Sequence, residues 1–132
     1  MIERDLLAVY RSYLACLNER RWPKLGEFVT DHLLYNGQHM TLPDYRAMLE
    51  ADVDAIPDLR FHSELLVADG DVVACRRYFR CSPRHAFLGF EPTGGQVPFP
   101  EHVFYRFEER RIAEVWSVID RQAIREQVSP KP

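Results

Sequence analysis

Apolar residues recur along this chain at two different spacings, and the change from one to the other falls at Pro57. From the N-terminus they stand three and four apart, at Ile2, Leu6, Val9, Tyr10, Tyr13, Leu14 and Leu17, which predicts an amphipathic helix over 2–19. Trp22-Pro23 interrupts it. A short helical piece is expected over 24–29, followed by a short strand with a turn at Asn36-Gly37. "TLPDYRAMLEADVDAIPD" reads as a second helix. Thr41 can cap it, Asp44 stands where a capping box needs its acid, Pro43 is tolerated in the first turn and Pro57 ends it. Tyr45, Met48, Leu49 and Val53 form its apolar stripe.

Beyond Pro57 the period is two. "LRFHSELLVA" and "VVACRRYFRC" read as strands joined at Asp69-Gly70-Asp71, and "VPFPEHVFYRF" and "RIAEVWSVID" as a second hairpin. Between the pairs, "SPRHAFLGFEPTGGQ" is a loop of the length that often carries function. "RQAIREQ" is a short closing helix and "VSPKP" a frayed tail. Helices first and antiparallel strands after is the α+β pattern. The expected architecture is one domain over 1–132, a curved, mostly antiparallel sheet with the N-terminal helices over its concave face and a cone-shaped pocket between them. The last strand is apolar on both alternating sets. One face would then line the pocket and the other meet a second sheet or subunit. Ala113, Val115 and Ile119, joined by Phe104, are expected on the outer face as a homodimer interface.

The register of the last hairpin decides the site. With Glu109-Arg110 as a two-residue turn, Phe107 pairs with Ile112, Tyr105 with Glu114, Val103 with Trp116 and Glu101 with Val118. Glu101 and Tyr105 would then share the face of Trp116 and Asp120, with His102 opposite. One bulge near Pro98 and Pro100 would bring His102 to the Asp120 face instead, and both registers stay open. A carboxyl group against Trp116 and Val118 is desolvated, fit for acid/base work near neutral pH. Asp120 can equally cap the helix that begins at Arg121, and the two roles are compatible. Arg77 reads as an edge-strand gatekeeper rather than an inward arginine that would meet Glu101, Glu114 or an anionic ligand.

Charge and composition narrow the partners. A net charge of −3 and a pI near 5.9 give no basic footprint for nucleic acid or anionic membrane. No apolar run approaches the ~20 residues of a bilayer span, and "MIERDLL" lacks a basic signal-peptide start. Three irregularly spaced cysteines (Cys16, Cys75, Cys81) fit thiols in a reducing cytoplasm. Neither the five histidines nor the glycines form a metal or phosphate motif, so no metal and no cofactor is expected.

Taken in order, several stretches carry a resemblance. They are "YNG" at 35–37, "IPDLRF" at 56–61, "VADGDVVACR" at 67–76, "FLGFEPTGG" at 87–95 and "VFYRFEERRIAEVWSVID" at 103–120. With them the chain, from about Leu6 to Gln127, resembles the SnoaL-like polyketide cyclase (ester cyclase) family, which has the nuclear-transport-factor-like cone fold shared with ketosteroid isomerase. The resemblance implies that Asp120 is the acid/base of a cofactor-free reaction on a small apolar carbonyl compound. Trp116, His102, Tyr35, Tyr105 and Glu101 are the expected pocket residues, with Tyr35, Tyr105 or His102 as donor to an enolate oxygen. Cys81-Ser82-Pro83, Glu91 and Arg110 depart from the family pattern, so a reshaped pocket rim is expected and the polyketide substrate is not carried over. The alternative is a ligand-binding or dimerisation module of the same fold.

Overall fold

The structure, a computed structural model, describes residues 3–128. Ile2 of the first stripe and the 129–132 part of the tail lie outside the described residues. The elements follow the expected order. They are α1 (Glu3–Asn18), a 3-10 turn (Trp22–Glu27), β1 (Val29–Tyr35), β2 (Gln38–Thr41), α2 (Leu42–Ala55), β3 (Ser63–Asp69), β4 (Val72–Phe79), β5 (Phe99–Glu108), β6 (Arg111–Ile119) and α3 (Arg121–Val128). The strands form one open sheet in the order β2-β1-β6-β5-β4-β3. All neighbours are antiparallel except β1 and β6, which run parallel.

Local chemistry sets the element ends. Thr41 and Asp44 complete the capping box of α2, Asp44 N to Thr41 Oγ1 at 3.2 Å and Thr41 N to Asp44 Oδ2 at 3.1 Å. The segment that "YNG" announces is a full hairpin. Asn36 (φ 49°) and Gly37 (φ 81°) take the left-handed conformations that a two-residue turn demands. The crossing after α2 is pinned to the end of α1. Asn18 donates to Phe61 O and accepts from Phe61 N, both at 2.7 Å.

The helices pack on the concave side of the sheet. Leu6, Tyr10, Tyr13 and Leu17 of α1 are fully buried against Val73, Val103, Tyr105 and Ile112 of the strands. At ~25 cal/mol per Å² of apolar surface, each such side chain contributes about 1.5–3 kcal/mol.

One residue overturns the expected register. Phe107 pairs with Ile112, but β6 then holds Ala113 as an extra residue, and Arg106 pairs with Glu114. From there Tyr105 faces Val115, Phe104 faces Trp116, His102 faces Val118 and Glu101 faces Ile119. A bulge of this kind turns every later side chain to the opposite face. Val115 and Ile119 therefore point into the cone rather than outward. Trp116 (40% exposed) and Val118 (67%) stand on the outer face with Phe104. Ala113 is buried, so the expected outer patch of Ala113, Val115 and Ile119 is replaced. Two cross-strand rows form the real one, Val67–Ala74–Phe104–Trp116 and Leu65–Arg76–His102–Val118.

Candidate active site

The mouth of the cone opens onto a cavity of about 600 Å³, its open end included. Aromatic and aliphatic side chains make most of its wall, among them Tyr45 and Leu49 from α2, Phe61, Phe79 from β4 and Phe99 from β5. Its polar groups are few: Tyr35, Asp52, Arg77, Glu101 and Tyr105, with the Tyr13 hydroxyl behind.

Arg77 and Glu101 are the two buried charged residues of the described chain. They sit directly opposite each other on β4 and β5, with Arg77 Nη1 3.1 Å from Glu101 Oε1. Arg77 Nη2 donates to the hydroxyls of Tyr10 (2.8 Å) and Tyr105. Its Nε is buried with no partner. The edge-strand gatekeeper reading of Arg77 is thus corrected, because β4 lies inside the sheet and the side chain points into the cone. The second oxygen of Glu101 accepts from Ser117 Oγ at 2.5 Å. Ser117 is in turn held by Asn36, whose Oδ1 accepts from Ser117 N (2.8 Å) and whose Nδ2 donates to Ser117 O (3.2 Å). The "YNG" turn therefore does two things: it reverses the chain and it locks the partner of a buried carboxylate.

Asp52 is different. It projects from α2 into the same cavity, and its carboxyl has no hydrogen bond or ion pair among the described residues. Burial, reinforced by the nearby Glu101, raises its pKa from 3.8 to about 6. Tyr35, reaching in from the end of β1, is likewise raised by burial and by Glu101, so its hydroxyl stays protonated at neutral pH. A carboxylate held by Arg77, a carboxyl with a raised pKa and a neutral phenol share one apolar wall. Such a set can take, hold and return a proton.

Of the residues expected from the sequence, Tyr35, Tyr105 and Glu101 line the cavity. Trp116 and His102 do not. The bulge at Ala113 carries both to the outer face, where His102 Nε2 lies 2.6 Å from Arg76 Nη1. The bulge does bring His102 to the side of Trp116, but that side is convex. Asp120 lies beyond the cavity wall. Its side chain is exposed and its Oδ1 accepts from Ala123 N at 2.9 Å, so it is the N-cap of α3. The expected desolvation against Trp116 and Val118 is absent because both of those residues face outward.

Asp52 was missed from sequence, yet a signal exists. It stands seven residues after Tyr45 and three after Leu49, on the helical stripe that buries both. An acid on an apolar stripe is the mark to look for. Among the described residues no group of three His, Cys, Asp or Glu is placed to hold a metal ion. No helix among them is long and apolar enough to cross a membrane.

The comparisons with known proteins agree with this architecture. The family model of the SnoaL-like polyketide cyclases matches residues 7–128. A crystal structure of a SnoaL-like polyketide cyclase from Agrobacterium tumefaciens is 43% identical, superposes with a TM-score of 0.91, and covers 98% of this chain and 100% of that one. TsrD from Streptomyces laurentii shares the fold at 18% identity, with a TM-score of 0.84 and 98% of both chains covered. AclR from Streptomyces galilaeus does so at 21% identity, with a TM-score of 0.80 and 99% and 100% coverage. No curated protein matches the chain. With a family model spanning all but its ends and a close structural relative over its whole length, this chain belongs to the SnoaL-like polyketide cyclase family.

Proposed function

We propose that the protein carries out cofactor-free acid/base chemistry of the cyclase or isomerase type on a small apolar carbonyl compound held in the cone. The observation that carries this reading is Asp52, an unpartnered carboxyl with a pKa near 6 in an aromatic cavity. In its ionised form Asp52 takes the proton from the carbon α to the carbonyl. The electron pair moves onto the carbonyl oxygen, which accepts a hydrogen bond from the Tyr35 hydroxyl. The enolate carbon then attacks a second carbonyl, whose oxygen receives the proton back from Asp52, or the carbon is itself reprotonated by Asp52. Glu101, fixed by Arg77 and Ser117, stays in place and adds to the burial that raises the Asp52 pKa.

A generic carbon acid tests this without knowledge of the natural substrate. A nitrobenzisoxazole opens its ring when a base takes its carbon-bound proton. The purified protein should accelerate that opening, with a rate that rises through about pH 6. Asp52→Asn should lose about a hundredfold of the acceleration. Binding of apolar probes with no acceleration above buffer would leave a non-catalytic binding module instead.

We further propose that the chain forms a homodimer through the convex face of the sheet. Leu65, Val67, Phe104, Trp116 and Val118 are all between 40% and 67% exposed, and they lie on one face of four neighbouring strands, in two rows that Ala74, Arg76 and His102 complete. Sedimentation at tens of micromolar should give a dimer, and Trp116→Glu a monomer. A monomeric parent protein would end this proposal.

A further inference from the structure

The stretch "FLGF", Phe87 to Phe90, has no part in the acid/base reading, yet it is the most constrained turn at the cavity mouth. Phe87 and Phe90 exchange backbone hydrogen bonds, Phe87 N to Phe90 O at 2.9 Å and Phe90 N to Phe87 O at 2.8 Å. The two residues between them take left-handed conformations, Leu88 at φ 51° and Gly89 at φ 81°. Glycine adopts that conformation at no steric cost, and leucine rarely adopts it. Strain kept at one residue calls for a reason at that residue. Both Phe87 and Leu88 line the cavity, Phe87 buried and stacked on Phe99 at 6.3 Å between ring centres.

The turn is gripped from outside by α3. Arg121 Nη2 donates to Leu88 O at 2.5 Å, and its guanidinium lies 5.1 Å from the centre of the Phe90 ring. Arg125, one turn on, lies 6.0 Å from the same ring. The helix that delivers both arginines starts on the Asp120 cap, is seated by fully buried Ile124, and reaches back through Gln127 Nε2 to Pro98 O at 2.7 Å. An apolar side chain is thus held in an unfavourable conformation at the mouth, by a helix that is capped by Asp120.

We propose that Leu88 sets the length of flat ring compound that the cone accepts, and that Arg121 and Asp120 are positioning residues that hold its turn in place. The proposal rests on the cavity being a ligand site but not on the chemistry assigned to Asp52. It also gives Asp120 a task other than proton transfer. A side chain trimmed by a few carbons in an apolar pocket changes discrimination by roughly ten- to two-hundredfold.

The test uses the full chain and three uncharged probes, 2-naphthol, 9-phenanthrol and 1-hydroxypyrene, with dissociation constants measured by calorimetry. For the parent protein, affinity should fall from the two-ring to the four-ring probe. In Leu88→Ala the ratio should move at least about tenfold toward the four-ring probe. Arg121→Ala and Asp120→Ala should move it the same way by a smaller factor. Asp120→Asn should keep the parent ratio, because its amide oxygen can still accept from Ala123 N–H. Thermal melts check that each variant is folded, and Leu88→Gly, which removes the strain, should melt no lower than the parent. A folded Leu88→Ala with an unchanged ratio overturns the proposal. So does a parent protein that binds none of the probes or does not discriminate among them. Loss of the proton-transfer activity in Asp52→Asn with the probe ratio intact separates the two proposals. If a folded Asp120→Ala leaves the ratio unchanged, the positioning role of Asp120 fails.

Discussion

Asp52 and Asp120 are the same side chain in two regions of one small domain, and almost nothing else about them is alike. Asp120 begins a surface helix, has water on one side, and spends an oxygen on the Ala123 N–H. Asp52 stands on the inner stripe of α2, faces an aromatic wall, and has no partner among the described residues. Burial and the neighbouring Glu101 lift its pKa to about 6. The pair teaches that a carboxyl's role follows from what surrounds it. Position in a motif selects candidates; desolvation and partners decide between them.

The most forceful way to break the contrast is to remove the cation that leaves Asp52 alone. Arg77 is matched to Glu101, so Arg77→Met would strand a buried carboxylate beside Asp52. Breaking a buried pair from one side costs about 3–5 kcal/mol. Urea unfolding should report that loss, and the double variant Arg77→Met with Glu101→Gln should recover much of it. Little loss in the single variant would mean that the buried pair does not hold the fold together.

A smaller effect concerns Asp52→Asn, where activity and stability should move in opposite directions. Turnover falls about a hundredfold while Asp120→Asn stays within a few-fold of the parent. The sign of the stability change follows from linkage. The folded pKa of Asp52 lies above its unfolded value, so the parent loses stability as pH rises from about 4 through about 6. Above that window Asp52→Asn should be more stable than the parent by about 1–2 kcal/mol, allowing for partial solvation. Below about pH 4 the advantage should vanish. Melts across this range that show a constant difference would refute the raised pKa.

The smallest effect belongs to the cap. Asp120→Ala should cost about 1 kcal/mol and Asp120→Asn only a few tenths, since asparagine caps nearly as well. A large loss in Asp120→Asn would restore a buried, charged role to that carboxylate.

The order of elements was legible because each boundary carries local chemistry. Thr41 and Asp44 announce α2, Pro57 ends it, and Asn36-Gly37 marks a tight turn. The curved sheet follows from the change of period after Pro57. The site was half legible. Tyr35, Tyr105 and Glu101 line the cavity, whereas Trp116 and His102 were displaced by a single extra residue, Ala113, that no propensity marks. Alternation counts residues faithfully only while the ladder is regular, and one bulge turns the rest of a strand over. The Arg77–Glu101 pair was within reach of the sequence, since both residues lie on inward-facing positions of adjacent strands. It lost to the gatekeeper reading because the order of strands in the sheet is not written locally.

The aromatic packing around Arg77 also places an alkaline limit on the fold. Tyr10, Tyr13, Tyr45 and Tyr105 are buried, and burial raises all four phenols, Tyr105 to about 12 and the others well above the ordinary tyrosine value. Above about pH 10 each would ionise in the unfolded chain but stay protonated in the folded one. Each then removes about 1.4 kcal/mol of stability per pH unit. Four acting together remove roughly 5 kcal/mol per unit, against a total stability of about 5–15 kcal/mol for a domain of ordinary size. Phenolate absorbance from these four should therefore appear in one cooperative step that coincides with loss of helical circular dichroism. A gradual rise at ordinary tyrosine pKa values, with the fold intact, would show that these hydroxyls reach water.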